Sequence, residues 1–72
     1  MEWDRIRANW AHYKALAQAR WAKLGERELE VIDGQRELLA AHISKLYGIS
    51  QNSAQMQLES WQGRLAEPKG AG

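Results

Sequence analysis

The chain has 72 residues, of which 10 are basic and 9 acidic, so its formal net charge is +1. This balance excludes the strong overall field by which basic proteins attract nucleic acid or anionic lipid, and the absence of cysteine excludes disulfide bridges and thiolate metal sites. A chain this short is expected to form one domain with a modest core. Its four tryptophans and two tyrosines are expected to supply much of that core, because each can bury roughly 150–250 Å².

The first predicted element is a helix over residues 4–24. Asp4 or Asn9 is suited to cap its start, and Gly25 is suited to the left-handed position just past its end. A stripe of alanines on the opposite side has two interpretations: a solvent face rich in the best helix former, or a surface that another helix approaches closely. The apolar residues of this helix recur at steps of three and four, which places them on one face: Trp3, Ile6, Trp10, Tyr13, Ala17, Trp21 and Leu24.

The next segment, "ERELEVIDG", predicts a short acidic second helix with a narrow apolar edge. Gly34 follows and has two interpretations. It is either a corner between two helices or a residue within one helix over residues 26–47, because the apolar pattern also fits one continuous helix. Such a helix would be roughly 33 Å long, and a domain this small cannot pack against both sides of it over that length. Glycine in its middle would also destabilise the helix by about 1 kcal/mol relative to alanine. We therefore predict a corner at Gly34 that folds the chain back, with Asp33 capping the third helix.

The third and fourth helices follow from clearer local signals. Gly48 is expected to stop the third helix, and Ser50 to cap the fourth. Residues 67–72, which include Pro68, are expected to be a flexible C-terminal tail after a single domain over residues 1–66. The predicted fold is all-α, a compact four-helix domain. Its expected core consists of Trp10, Tyr13, Trp21, Leu24, Ile32, Leu39, Ile43, Leu46, Tyr47, Leu58 and Trp61.

No residue pattern predicts catalysis or metal binding. His12 and His42 have no further histidine or carboxylate three or four positions away on the same helix, as a helical metal site would require. No serine lies in a GxSxG elbow, and the carboxylates cluster on one short element instead of forming a buried, unequal pair. We therefore expect no catalytic residue, no metal site, no cofactor and no enzymatic activity.

The Gly34 corner is the candidate interaction site. A corner of the form apolar-x-Gly can present backbone N–H groups to a phosphate, so Gly34, Gln35 and Arg36 define a nucleic-acid-binding module as the alternative function. Asp33 and Glu37 beside them would repel phosphate. The sequence does not identify a partner: another protein or self-association is compatible with it, and nucleic acid has weaker support.

Membrane association and export have little support in the sequence. The amphipathic first helix would suit a membrane surface, but a helix that faces a globular core has the same pattern. No apolar run approaches the roughly 18–20 residues of a membrane span. The N-terminal segment also lacks the continuous apolar stretch of a secretory signal. We therefore expect a cytoplasmic protein.

Three segments together resemble the CsbD-like family of small bacterial general stress proteins. They are "NW…WAKL", then "IDGQRELLAAHISKLYGI", then Ala54 with Trp61, and the similarity runs without an evident gap from Asn9 to about Trp61. The resemblance implies two packed helical hairpins and a cytoplasmic, stress-associated protein that acts through binding or stabilising contacts. It also implies a close helix crossing at three positions where that family often carries glycine: Ala15, Ala22 and Ala41.

Overall fold

The computed structural model describes residues 2–65, and within that range it contains five helices and no strand. The all-α prediction is confirmed, whereas the predicted number of four helices is wrong, because the first helix divides at Asn9. The predicted tail over residues 67–72 lies outside the described residues. The helices are α1 (Trp3–Ala8), α2 (Trp10–Arg20), α3 (Glu26–Ile32), α4 (Arg36–Tyr47) and α5 (Gln51–Arg64).

Asn9 separates α1 from α2. Its backbone angles, φ −116° and ψ 37°, lie outside the helical range. The Asn9 side-chain amide donates to the carbonyl of Arg5 at 3.2 Å, a local bond through which asparagine competes with the helix. Asn9 occupies the N-cap position of α2, but neither its side chain nor that of Asp4 caps a helix start, so the predicted side-chain cap is wrong.

The second difference concerns the end of α2, which stops short of the predicted Leu24. Residues 21–25 form a turn in which the Gln18 side-chain amide donates to the Leu24 carbonyl at 3.1 Å. Gly25 is not left-handed but extended, with φ −86° and ψ 168°, and serves as the N-cap residue of α3. Its N–H donates to the Glu28 carboxylate at 2.7 Å, so Gly25 begins the following helix instead of ending the preceding one.

The chain turns between α3 and α4 through two residues with positive φ. Asp33 has φ 47° and Gly34 has φ 77°, and aspartate is among the few residues that adopt this region at modest cost. The predicted corner therefore lies where the sequence placed it. The predicted cap is wrong: Asp33 ends α3, and Gln35 is the N-cap residue of α4, without a side-chain hydrogen bond.

The ends of α4 and α5 follow the local signals in the sequence. Gly48 ends α4 with φ 64°, and the N–H of Ile49 donates back to the Ser44 carbonyl at 3.1 Å, as in a glycine-terminated helix. The Ser50 hydroxyl accepts from the N–H of Ser53 at 3.0 Å. The predicted stop at Gly48 and cap at Ser50 are confirmed.

The core is formed by one face of each helix and by the turn after α2. Leu46 and Tyr47 from the expected core are half-buried and pack against it, and α4 packs most extensively on α5. Ile6, Leu29, Ala17, Ala40 and Ala54 are also buried. The remaining expected core residues are all buried: Trp10, Tyr13, Trp21, Leu24, Ile32, Leu39, Ile43, Leu58 and Trp61.

The predicted close helix crossing at Ala15, Ala22 and Ala41 is wrong, because all three side chains are exposed. The alanine stripe of the first predicted helix therefore faces solvent, where alanine contributes its high helix propensity. A different set of alanines is fully buried: Ala17 on α2, Ala40 on α4 and Ala54 on α5.

This correction gives a matched pair of substitutions on α2. Ala15→Leu should change the free energy of unfolding by less than about 0.5 kcal/mol, because an exposed position accepts a larger side chain. Ala17→Leu inserts the same side chain at a fully buried position and should destabilise the fold by about 1–3 kcal/mol through overpacking. Urea unfolding followed by circular dichroism measures both values, and equal losses would contradict this assignment of the two faces.

Candidate interaction site at the Gly34 corner

The backbone of Gly34 is buried beneath α1. The Trp3 indole Nε1 donates to the Gly34 carbonyl at 2.8 Å. A Cβ atom added to Gly34 would lie 3.0 Å from Cγ and 3.2 Å from Cα of Arg7, a spacing that only glycine permits without displacement. Gly34 is therefore a point of close approach between α1 and the α3–α4 turn, where the absence of a Cβ is required.

The three predicted site residues are neighbours in space but differ in their accessibility. Gly34 is buried, Gln35 is exposed and Arg36 is half-buried. The N–H of Gln35 donates to the Ile32 carbonyl at 2.8 Å, so it is used within the turn. With Gly34 covered and the Gln35 N–H already bonded, this geometry disfavours a corner that holds a phosphate through backbone N–H groups.

Two surface clefts meet at Trp3 and Arg36, and we call them together the Trp3 surface. One cleft is also lined by Asp4, Arg7, Gly34, Gln35 and Glu37. The other is also lined by Glu59, Gln62 and Gly63. The charged groups have both signs, so the surface offers no basic patch of the kind that binds the phosphate backbone.

The tryptophan side chains connect distant parts of the chain. The ring of Trp61 lies 6.3 Å from that of Trp3 and 5.3 Å from that of Trp21, measured between ring centroids. The Trp21 indole N–H donates to the Gln57 side chain at 3.0 Å, and the Trp10 indole N–H donates to the Leu29 carbonyl at 3.0 Å. These contacts hold the indoles in the fold, which disfavours their use as a platform for stacking bases.

A further cleft, which sequence reasoning missed, lies between α2 and α3. It is lined by Lys14, Ala15, Gln18, Glu26, Leu29 and Glu30. The acidic pattern of the second predicted helix was its only signal in the sequence. Across the part of the chain that the structure describes, no group of three or more His, Asp or Glu side chains is arranged to hold a metal ion.

Trp3 and Arg7 are the site residues that the sequence did not indicate. The sequence places Trp3 on the apolar stripe of the first helix, yet its indole bonds to a residue 31 positions away.

Among residues 2–65, no helix has both the length and the apolar character needed to cross a bilayer.

The fold and this surface together define a small all-α protein with an apolar core and a surface of mixed charge.

The chain is similar to three bacterial proteins over most of its length. It is 32% identical over 62 residues to the UPF0337 protein ECA0631 of Pectobacterium atrosepticum, and the aligned residues cover 86% of this chain and 90% of that protein. It is 34% identical over 64 residues to the UPF0337 protein Atu4724 of Agrobacterium fabrum, which covers 89% and 96%. It is 30% identical over 64 residues to the UPF0337 protein YjbJ of Escherichia coli O6:H1, which covers 89% and 93%.

The chain therefore belongs to the UPF0337 family, which corresponds to the CsbD-like family. The resemblance found in the sequence is confirmed at the level of the family. No family model matches the chain, and no solved structure matches it. The names of these relatives state no substrate, ligand or reaction.

Proposed function

We propose that this protein acts in the bacterial cytoplasm under stress, without catalysis, through binding or stabilising contacts made by its surface. The observation that carries the proposal is the division between core and surface: among the described residues, every buried side chain is apolar. All charged side chains of that range are exposed or half-buried, so the surface that a partner would meet is charged and the core is not. The stress setting is supported by the family: the chain belongs to the UPF0337 family, and its sequence resembles the CsbD-like general stress proteins.

The nucleic-acid-binding alternative at Gly34 and Arg36 is not carried forward. It depended on an open glycine corner, and Gly34 is covered by α1. A titration with duplex DNA tests this directly through the backbone amide resonances. Shifts confined to residues 34–37 that weaken as salt rises would overturn our choice, because only phosphate contacts at the corner would produce them.

The stress setting is tested by the amount and location of the protein in its own cells. Targeted mass spectrometry should show a higher amount of the protein under osmotic, heat or oxidative stress or in stationary phase than during unstressed growth. The protein should be recovered in the cytoplasmic fraction. A constant amount under all four conditions would contradict a stress-associated role.

The binding part is tested separately by cross-linking in living cells. A photoreactive residue at the exposed position Gln35 reports on the Trp3 surface, and one at the exposed position Gln51 provides the matched control on α5. We expect discrete cross-linked products from Gln35 during stress and fewer from Gln51. The absence of products from both positions would contradict action through binding contacts.

A further inference from the structure

The helix α1 is held to the rest of the domain by contacts with residues far away in the sequence. Trp3 donates to the Gly34 carbonyl and lies against Trp61, and Arg7 packs on the Gly34 backbone. The Ile6 side chain is fully buried in the core. We call the surface that α1 covers, formed by Gly34 and Trp61, the α1 seat.

The seat is specific for the helix that occupies it. Gly34 presents a backbone without a Cβ, which leaves room for the Arg7 backbone, and a carbonyl that the Trp3 N–H satisfies. A buried carbonyl without a donor is unfavourable. A segment that fills the seat therefore needs an indole donor followed four residues later by a close backbone contact, which are the features of α1 itself.

The connection between α1 and α2 is a single residue. Asn9 alone departs from helical angles, and α2 begins without a side-chain cap for its first N–H groups. The N–H of His12 already donates to the Asn9 carbonyl at 2.9 Å. If Asn9 became helical, α1 and α2 would form one helix over residues 3–20, and the N–H groups of Trp10 and Ala11 would gain carbonyl partners in α1. The apolar stripe across this junction has the spacing of one helix: Trp3, Ile6, Trp10, Tyr13 and Ala17. The local sequence thus favours a continuous helix, and the contacts of α1 with its seat favour the break.

We propose that both preferences are satisfied when two copies of this chain exchange α1. Asn9 becomes helical in each copy, so α1 turns away from its own seat and occupies the seat of the second copy. The Trp3 indole of one copy then donates to the Gly34 carbonyl of the other. The arrangement is closed and two-fold symmetric, because each copy provides one α1 and receives one. This proposal stands independently of the proposed function.

Two substitutions at Asn9 should shift the equilibrium between the monomer and the exchanged dimer in opposite directions. Asn9→Ala removes the side-chain bond to Arg5 that accompanies the break and introduces the best helix former at both junctions of the dimer. We expect its association constant to be about tenfold higher than that of the natural chain. Asn9→Gly weakens the continuous helix and should lower the association constant below the natural value.

Light scattering coupled to size-exclusion chromatography measures the dimer fraction of all three proteins after refolding at high and low concentration. The contact itself is tested in a dimer of labelled and unlabelled Asn9→Ala chains by an isotope-filtered nuclear Overhauser experiment. A cross-peak from the Trp3 indole proton to Gly34 of the other chain is expected. The proposal is overturned by an Asn9→Ala protein that remains monomeric at millimolar concentration, by equal dimerisation of the two variants, or by a dimer without that cross-peak.

Discussion

Gly34→Ala is expected to reduce the free energy of unfolding by about 2–5 kcal/mol. The first cause is the backbone conformation: φ is 77°, and an L-residue with a Cβ pays about 1–2 kcal/mol in the left-handed region. The second cause is the close approach of α1. The new Cβ would lie 3.2 Å from the Arg7 Cα, a backbone atom that moves only if α1 moves, and overpacking of this kind costs about 1–3 kcal/mol.

Gly48→Ala provides the matched control, because it isolates the conformational contribution. Gly48 also has a positive φ, 64°, but nothing lies within 4 Å of an added Cβ. Its substitution should cost only about 1–2 kcal/mol. Urea unfolding followed by far-ultraviolet circular dichroism measures both variants. If the two lose the same stability, α1 accommodates a Cβ at position 34 and the overpacking contribution is wrong.

The same two glycines show which parts of the structure the sequence predicts well. Gly48 and Ser50 act through residues no more than five positions away, so their roles follow from local signals alone. The helical faces are also local, since side chains three and four positions apart share a face. This explains why periodicity identified Leu39, Ile43 and Leu58, all of which are fully buried.

The missed features depend on contacts between distant residues. The break at Asn9 interrupts a stripe whose spacing fits one helix, because Trp3 bonds to Gly34, 31 residues away. Gly25 was assigned to the left-handed region, but glycine adopts extended angles equally well, and the Glu28 carboxylate favours the extended form in this turn. Local preference alone does not distinguish these outcomes.

The candidate site divides in the same way. The corner at Gly34 was predictable, because a glycine destabilises a helix interior and a continuous helix would be too long for so small a domain. The structure has this corner between α3 and α4. The phosphate-binding interpretation assumed that the corner was open, and this assumption concerned tertiary packing. Because Trp3 and Arg7 cover it, Gly34 serves the packing of α1, while Gln35 and Arg36 remain at the surface as the part of the site that a partner can reach.

The largest effect is expected from Trp21→Ala, which should destabilise the fold by about 3–5 kcal/mol. Trp21 is only 1% exposed, and its ring packs edge-on against Trp61 at 5.3 Å, so truncation removes a large buried apolar group together with its contact to Trp61. A domain of this size is stable by only about 0.05–0.15 kcal/mol per residue. The variant should therefore be largely unfolded or melt at a much lower temperature.

Trp21→Phe separates the apolar contribution of this side chain from its hydrogen bond. Phenylalanine keeps an aromatic ring against Trp61 but loses the N–H that donates to Gln57. Gln57 is only half-buried, so water can replace the lost donor, and the net value of such a bond is about 0.5–1.5 kcal/mol. With the smaller ring included, we expect a total loss of about 1–2 kcal/mol. Thermal and urea unfolding of both variants measure the difference, and a loss from Trp21→Phe as large as that from Trp21→Ala would contradict the assignment of most of the Trp21 contribution to apolar burial that a phenylalanine ring retains.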